Sequence, residues 1–197
     1  MALYLVTAPA LEPVTVEEAK AHSRIDHSDD DALVASLIVA ARQYVETYTQ
    51  RALVTQTWDW KLDGFPCGAM TLPMPPTLSV TSITYLDTAN VSQTWSAADY
   101  LTEFPVGEQA APARITSDYG ISYPSTYGVM NAVTIRFVAG YAATAEAAVI
   151  AIPASLKTVI KVLVAHWYEQ RQPVLVGTTL VPVPTSVEAL LWPYKVF

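Results

Sequence analysis

The chain has one cysteine, Cys67, in 197 residues. That excludes an intrachain disulfide and a cysteine-rich zinc site, and it points to synthesis in a reducing cytosol. Charge is scarce as well. Charged residues make up 15% of the chain, against a usual share of about 25%. The basic sign is the scarcer one, with 11 Lys and Arg against 18 Asp and Glu, a net charge of −7. A general grip on nucleic acid needs patches of Lys and Arg, which this balance argues against. An acidic wall, by contrast, lets DNA pass without holding it. Long apolar runs are missing too. The longest, Leu33–Ala41 and Ala147–Ile152, are broken by Ser36 and stopped by Pro153, whereas a spanning helix needs about 20 apolar residues. No membrane partner is expected. Met1–Ala10 has neither a basic start nor a long apolar stretch, so no secretory signal is expected there.

Catalytic motifs are equally hard to find. The sequence has no His-Glu-x-x-His, no Gly-x-Ser-x-Gly, no Gly-x-Gly-x-x-Gly and no Walker loop. Its three histidines, His22, His27 and His166, are scattered, which favours surface or structural roles over a ligand set. Asp29, Asp30 and Asp31 are consecutive, so their carboxylates point to different sides of a helix. They suit a helix N-terminus better than a metal. Cys67 lies in Phe-Pro-Cys-Gly-Ala with no base nearby. No catalytic residue, metal or cofactor is expected.

What is abundant is apolar. Hydrophobic residues make up 52%, and the mean hydropathy is +0.28. A soluble chain this apolar covers part of its surface with other chains. Proline is absent from Val14 to Phe65 and from Ala154 to Gln172, and the first glycine is Gly64. Those two proline-free windows can hold helices. Thr15-Val-Glu-Glu18 is a capping box that starts a short helix ending near Arg24. Ser28 is a candidate N-cap for a second, running to about Arg51, with the three aspartates in its first turn. Its apolar stripe is wide, and two packing directions are expected: Val34, Ile38 and Val45 along one, Leu33, Leu37 and Tyr44 along the other. A third helix follows Pro153, with Leu156, Val159, Ile160, Leu163, Val164 and Trp167 on one face.

Between these windows the period falls to two. Trp58, Trp60 and Leu62 alternate with Asp59 and Lys61, and Val133, Ile135 and Phe137 with Thr134 and Arg136. Leu78–Leu86 ends in a polar turn, Asp87–Asn90. Shorter strands are expected at Gln93–Trp95, Tyr100–Thr102 and Ala113–Thr116. The expected fold class is α+β: a helical bundle formed by N- and C-terminal helices with an inserted antiparallel β unit. The expected parts are 1–53, 54–141 and 142–197. Beyond Pro173 the stretch Pro173–Pro184 is apolar and uncharged and reads as an extended arm. A short helix, Ser186–Trp192, and the tail to Phe197 follow.

An ordered set of segments carries a family resemblance. It comprises Val6–Lys20 (VTAPALEPVTVEEAK), Arg24–His27 (RIDH), Asp30–Leu33 (DDAL), Ala40–Glu46 (AARQYVE), Arg51–Leu53, Gln56–Trp58, Leu62–Pro66 (LDGFP) and Leu72–Pro76 (LPMPP). Further on come Ser79–Tyr85 (SVTSITY), Val138–Tyr141 (VAGY), His166–Arg171 (HWYEQR), Val187–Leu191 (VEALL) and Pro193-Tyr194. The set resembles the head–tail connector, or adaptor, family of long-tailed bacteriophages and prophages, with relatives in gene transfer agents. Lys195 stands where the family usually has Arg after Pro-Tyr.

The resemblance implies a structural virion protein rather than an enzyme. It implies a ring of copies of the chain, typically twelvefold, under the portal protein. The ring would join the filled head to a stopper or tail-terminator protein and let DNA pass through its lumen without specific binding. Made in the host cytoplasm, it would end in the virion neck. It also implies portal docking through the C-terminus, with Val187, Leu190, Leu191, Trp192, Tyr194, Lys195 and Phe197 as the expected contacts; the other reading of these apolar side chains is that they fold back onto the chain's own core. Val34, Ile38 and Val45 of the long helix, with Leu175 and Val176 of the arm, are the expected subunit interface. A stopper or tail-completion protein is the main alternative, and it would be mostly β and lack the two long helices. An enzyme or ligand-binding module would need a cleft with convergent polar groups.

Overall fold

The computed structural model describes residues 1–170 and 185–196. It has a helical half and a β half, each with its own core. The fold is α+β, as the sequence pattern implies.

The helical half begins with α1, Val16–Ser23. Its capping box is complete: the Thr15 hydroxyl accepts from the Glu18 amide at 3.2 Å, and the Glu18 carboxylate accepts from the Thr15 amide at 3.3 Å. Next comes α2, Asp31–Thr49, which starts from Asp30 rather than Ser28 and without a side-chain cap. The aspartates there serve tertiary contacts instead. Asp31 pairs with Lys20 of α1 at 2.6 Å, and Asp30 accepts from the Tyr168 hydroxyl at 2.6 Å. Two further helices are α3, Ala145–Ala151, and α4, Ala154–Glu169. They are bent by 94° at the break, where Pro153 caps α4 and holds Ile152 in extended backbone. The sequence pattern does not predict α3; its N-cap is Thr144, which accepts from the Ala147 amide. The last helix is α5, Thr185–Leu191, continued by a 3-10 turn, Trp192–Tyr194. The α4 apolar face, Leu156, Val159, Ile160, Leu163 and Val164, is fully buried against α1, α2 and α5.

The β half has two antiparallel sheets. The larger contains β1 (Ala2–Thr7), β2 (Gln56–Leu62), β8 (Val133–Ala139), β4 (Thr77–Leu86) and β5 (Ser92–Thr94), in that spatial order. The smaller contains β3 (Met70–Thr71), β7 (Arg114–Ser117) and β6 (Tyr100–Glu103). Ile83, Ile135 and Phe137 of the first share a core with Met70 and Ile115 of the second. The edge strand β1 is unexpected. Its partner β2 lies some fifty residues on, with Leu3 opposite Trp60, so no local signal announces it. On β2 the alternation is imperfect, because Asp59 is buried. It holds Arg136 of β8 through two hydrogen bonds of 2.7 Å.

The chain passes between the halves three times: from β1 to α1, from α2 to β2, and from β8 to α3. The last two crossings run side by side. The Tyr141 amide donates to the Leu53 carbonyl at 3.2 Å, and the Thr55 hydroxyl to the Ala142 carbonyl at 2.7 Å. Gly140 makes this approach possible. Its φ is +142°, and a Cβ there would lie 2.8 Å from the backbone of Thr55.

Candidate docking surface

The charged groups buried near the crossings are spent on structure. Glu46 accepts from Arg42 at 2.7 Å, from the Gln56 amide at 2.7 Å and from the Leu53 backbone at 2.9 Å. Burial holds its carboxyl above the ordinary carboxylate value, against the pull of these donors. Arg42 also pairs with Glu12 at 2.8 Å. Arg51 is buried and donates to the Ala110 carbonyl at 2.8 Å and to that of Tyr194. Burial pushes the Tyr141 hydroxyl up to about 12, and that hydroxyl donates to the Glu108 carbonyl at 2.8 Å. These perturbed groups clamp the crossings, and each already has protein partners. Among the described residues, no three of His, Cys, Asp and Glu come together to hold a metal. His22 and His27 are exposed, and so is Cys67. Among the described residues, no single helix is long and apolar enough to cross a membrane.

The C-terminal residues divide into two groups. Val187, Leu191 and Tyr194 are buried in the helical core of their own chain. Tyr194 accepts from the Ser155 hydroxyl at 2.9 Å, and the Val196 amide donates to the Thr49 carbonyl at 3.0 Å. These three side chains are therefore corrected from docking contacts to core. Leu190 and Trp192 face outward, 39% and 59% exposed. Lys195 lies over two rings, 5.3 Å from the centre of Tyr48 and 5.8 Å from that of Trp192. Leu190, Trp192 and Lys195 make up the outward part of the tail; Phe197 lies outside the described residues.

A second correction concerns the subunit interface. Val34, Ile38 and Val45 are at most 1% exposed and belong to the core of their own chain, with Ile38 also at the floor of an open groove. The other stripe, Leu33, Leu37 and Tyr44, is only half-buried. Leu175 and Val176 lie outside the described residues.

An open apolar groove of about 480 Å³ runs between the segment before α1, the face of α2 and α3. Leu11, Val14, Val16, Val39 and Val149 line it, with Ile38 below. No sequence signal marks it, because its walls come from three distant segments. A third apolar feature is the β-half stretch that carries exposed Tyr119, Ile121, Tyr127, Val129 and Met130. Among the described residues these are apolar contact areas of the kind that partners in an assembly cover.

The comparisons make the class particular. Residues 13–92 match the family described as phage gp6-like head-tail connector protein. No curated protein matches the chain. Solved structures do, over its whole length. A chain from the neck of an empty GTA particle computed with C6 symmetry is 27% identical, with a TM-score of 0.78 covering 100% of this chain and 96% of that one. A chain from the virion of a native gene transfer agent particle is 27% identical, with a TM-score of 0.77 and the same coverages. One from the neck of a native GTA particle computed with C12 symmetry is 26% identical, with a TM-score of 0.70, again covering 100% and 96%. Sequence pattern, family match and fold agree on a structural connector role in the virion neck.

Proposed function

We propose that this connector sits in the virion neck as a closed ring of identical copies, twelvefold in the particle. One rim faces the portal protein, the other faces a stopper or tail-terminator protein, and DNA passes through the lumen. The observation that carries this reading is the full-length likeness to chains from GTA necks, solved with sixfold and twelvefold symmetry. The long helices α2 and α4 also speak against a mostly β stopper. A net charge of −7 suits a passage that must not hold DNA. Portal docking falls to the outward part of the tail, Leu190, Trp192 and Lys195, together with Phe197. An aromatic ring beside a cation is a usual interface anchor. The arm residues Leu175 and Val176 supply a contact between neighbouring copies.

Electron microscopy of particle necks tests the ring, which should appear as a closed ring of this chain. A single copy per neck would refute it. The portal contact is tested separately with Trp192→Ala combined with Leu190→Ala, two exposed positions whose truncation leaves the core intact. Heads should still fill with DNA but gain fewer connectors and tails. Normal tailing would move the portal contact elsewhere.

A further inference from the structure

We infer that the apolar groove between α2 and α3 is the receiving site for the 173–184 arm of the adjacent copy in the ring. The inference rests on the ring reading and adds which surfaces meet.

Three observations converge on it. The first is chemical match. The groove wall is almost wholly aliphatic, and one of its two carboxylates, Glu12, is already engaged by Arg42. An occupant with no charge and several aliphatic side chains fits such a wall. The arm is Pro-Val-Leu-Val-Gly-Thr-Thr-Leu-Val-Pro-Val-Pro, with six aliphatic side chains and no charge.

The second is reach. Residues 171–184 leave from the end of α4 and return at the start of α5. The Trp167 ring, near the end of α4, lies 6.3 Å from the Tyr44 ring of α2, and α5 packs on both α4 and α2. Fourteen residues span at most about 46 Å at roughly 3.3 Å each. An excursion that leaves and returns near one point can therefore extend about 20 Å.

The third is direction. At about 100° per residue, Tyr44 lies about 180° around α2 from Ala35. Ala35 and Val39 line the groove, on the opposite face of the helix from the arm's two ends. Donor and acceptor are thus different surfaces on opposite sides of one chain. That is the heterologous geometry from which a closed ring is built. The groove's own chain is poorly placed to fill it, since its arm would have to wrap around the helix.

Cysteine crosslinking of the full chain tests this. In a Cys67→Ser background, one variant carries Leu175→Cys and another Val39→Cys. Mixed and oxidised, or bridged with a short bismaleimide, they should give a crosslinked dimer that neither gives alone. The double variant should give a ladder of crosslinked species up to the ring. A double variant that closes only within one chain overturns the inference, as does one that forms rings by electron microscopy without any crosslink. In both cases the ring reading survives. If the unmodified chain forms no ring in solution or in particles, the ring reading falls and this inference falls with it. Val39→Glu, at a half-buried groove position, gives an independent check. It should abolish ring formation while leaving the circular dichroism of the monomer unchanged. Rings that persist with Val39→Glu count against the groove.

Discussion

The two halves of the molecule close their cores by different means. The helical half packs aliphatic side chains that recur at helical spacing on α2 and α4, with Val187, Leu191 and Tyr194 of the tail completing its core. The β half adds a cluster of rings to its aliphatic core. Phe65 stacks on Tyr123 with centroids 5.5 Å apart, meets Trp95 at 5.2 Å, and Trp95 meets Tyr100 at 5.0 Å. Each such pair contributes about 0.5–1.5 kcal/mol beyond the area it buries. The helical core borders an open groove and the exposed Leu190 and Trp192 of the tail. The ring cluster of the β half packs on buried Ile, Leu and Val side chains of the same half. In the proposed ring the helical half would supply the groove and the tail, while the ring cluster braces the β half.

The largest test of that division is a pair of core truncations. Leu163→Ala and Phe137→Ala remove fully buried side chains from the helical and the β core. Each should cost about 3–5 kcal/mol. Because the crossings are clamped, both should lower one shared unfolding transition, seen alike by far-ultraviolet circular dichroism and by tryptophan fluorescence. Two separate transitions would mean that the halves fold independently.

Next is the polar clamp between them. Arg42→Met leaves the buried Glu46 carboxylate without its cation and should cost about 3–5 kcal/mol at neutral pH. The sign with pH is definite. Glu46 binds its proton more tightly folded than unfolded, so its ionisation removes stability as pH rises through the folded value. The variant should therefore lose more stability than the parent between about pH 4 and 8. Chemical denaturation across that range measures it.

Gly140→Ala probes the crossing itself and should cost about 1–3 kcal/mol through its positive φ and the clash with Thr55. A neutral result would show that the two crossings can separate. The smallest effect belongs to Asp59→Asn, on strand β2 of the β half. The hydrogen bonds from Arg136 hold the Asp59 carboxyl below its ordinary value. Its contribution is present above the unfolded value and is lost as pH falls through the folded one. The variant should be slightly weaker at neutral pH and equal to the parent in strong acid.

Much of the helical half was legible from the chain. The Thr15 box, the α2 stripe and the α4 face depend on spacing within one segment, and local period reports such contacts. Less of the β half was. The strands β4 and β8 have the right composition, but β1 and β3 are defined only by partners far along the chain. The family resemblance reached the class of protein before any geometry did. The contact residues were harder. Spacing marks Val34, Ile38 and Val45 as apolar, and it marks Val187 and Leu191 the same way, yet it cannot distinguish an own core from a neighbour's. That choice depends on whether α4 arrives to cover them, which is a tertiary fact. The groove was invisible for a related reason, since its walls meet only when the segment before α1 folds across α2 and α3.

Three passages of chain between the halves have a mechanical meaning. A body joined by one strand can swivel about it. This one is joined at three points and braced by Thr55, Arg51 and Tyr141, so twisting it means breaking several bonds at once. The helices and the sheets of one chain therefore resist turning against each other. In the proposed ring, such bracing would make each copy tilt as a unit.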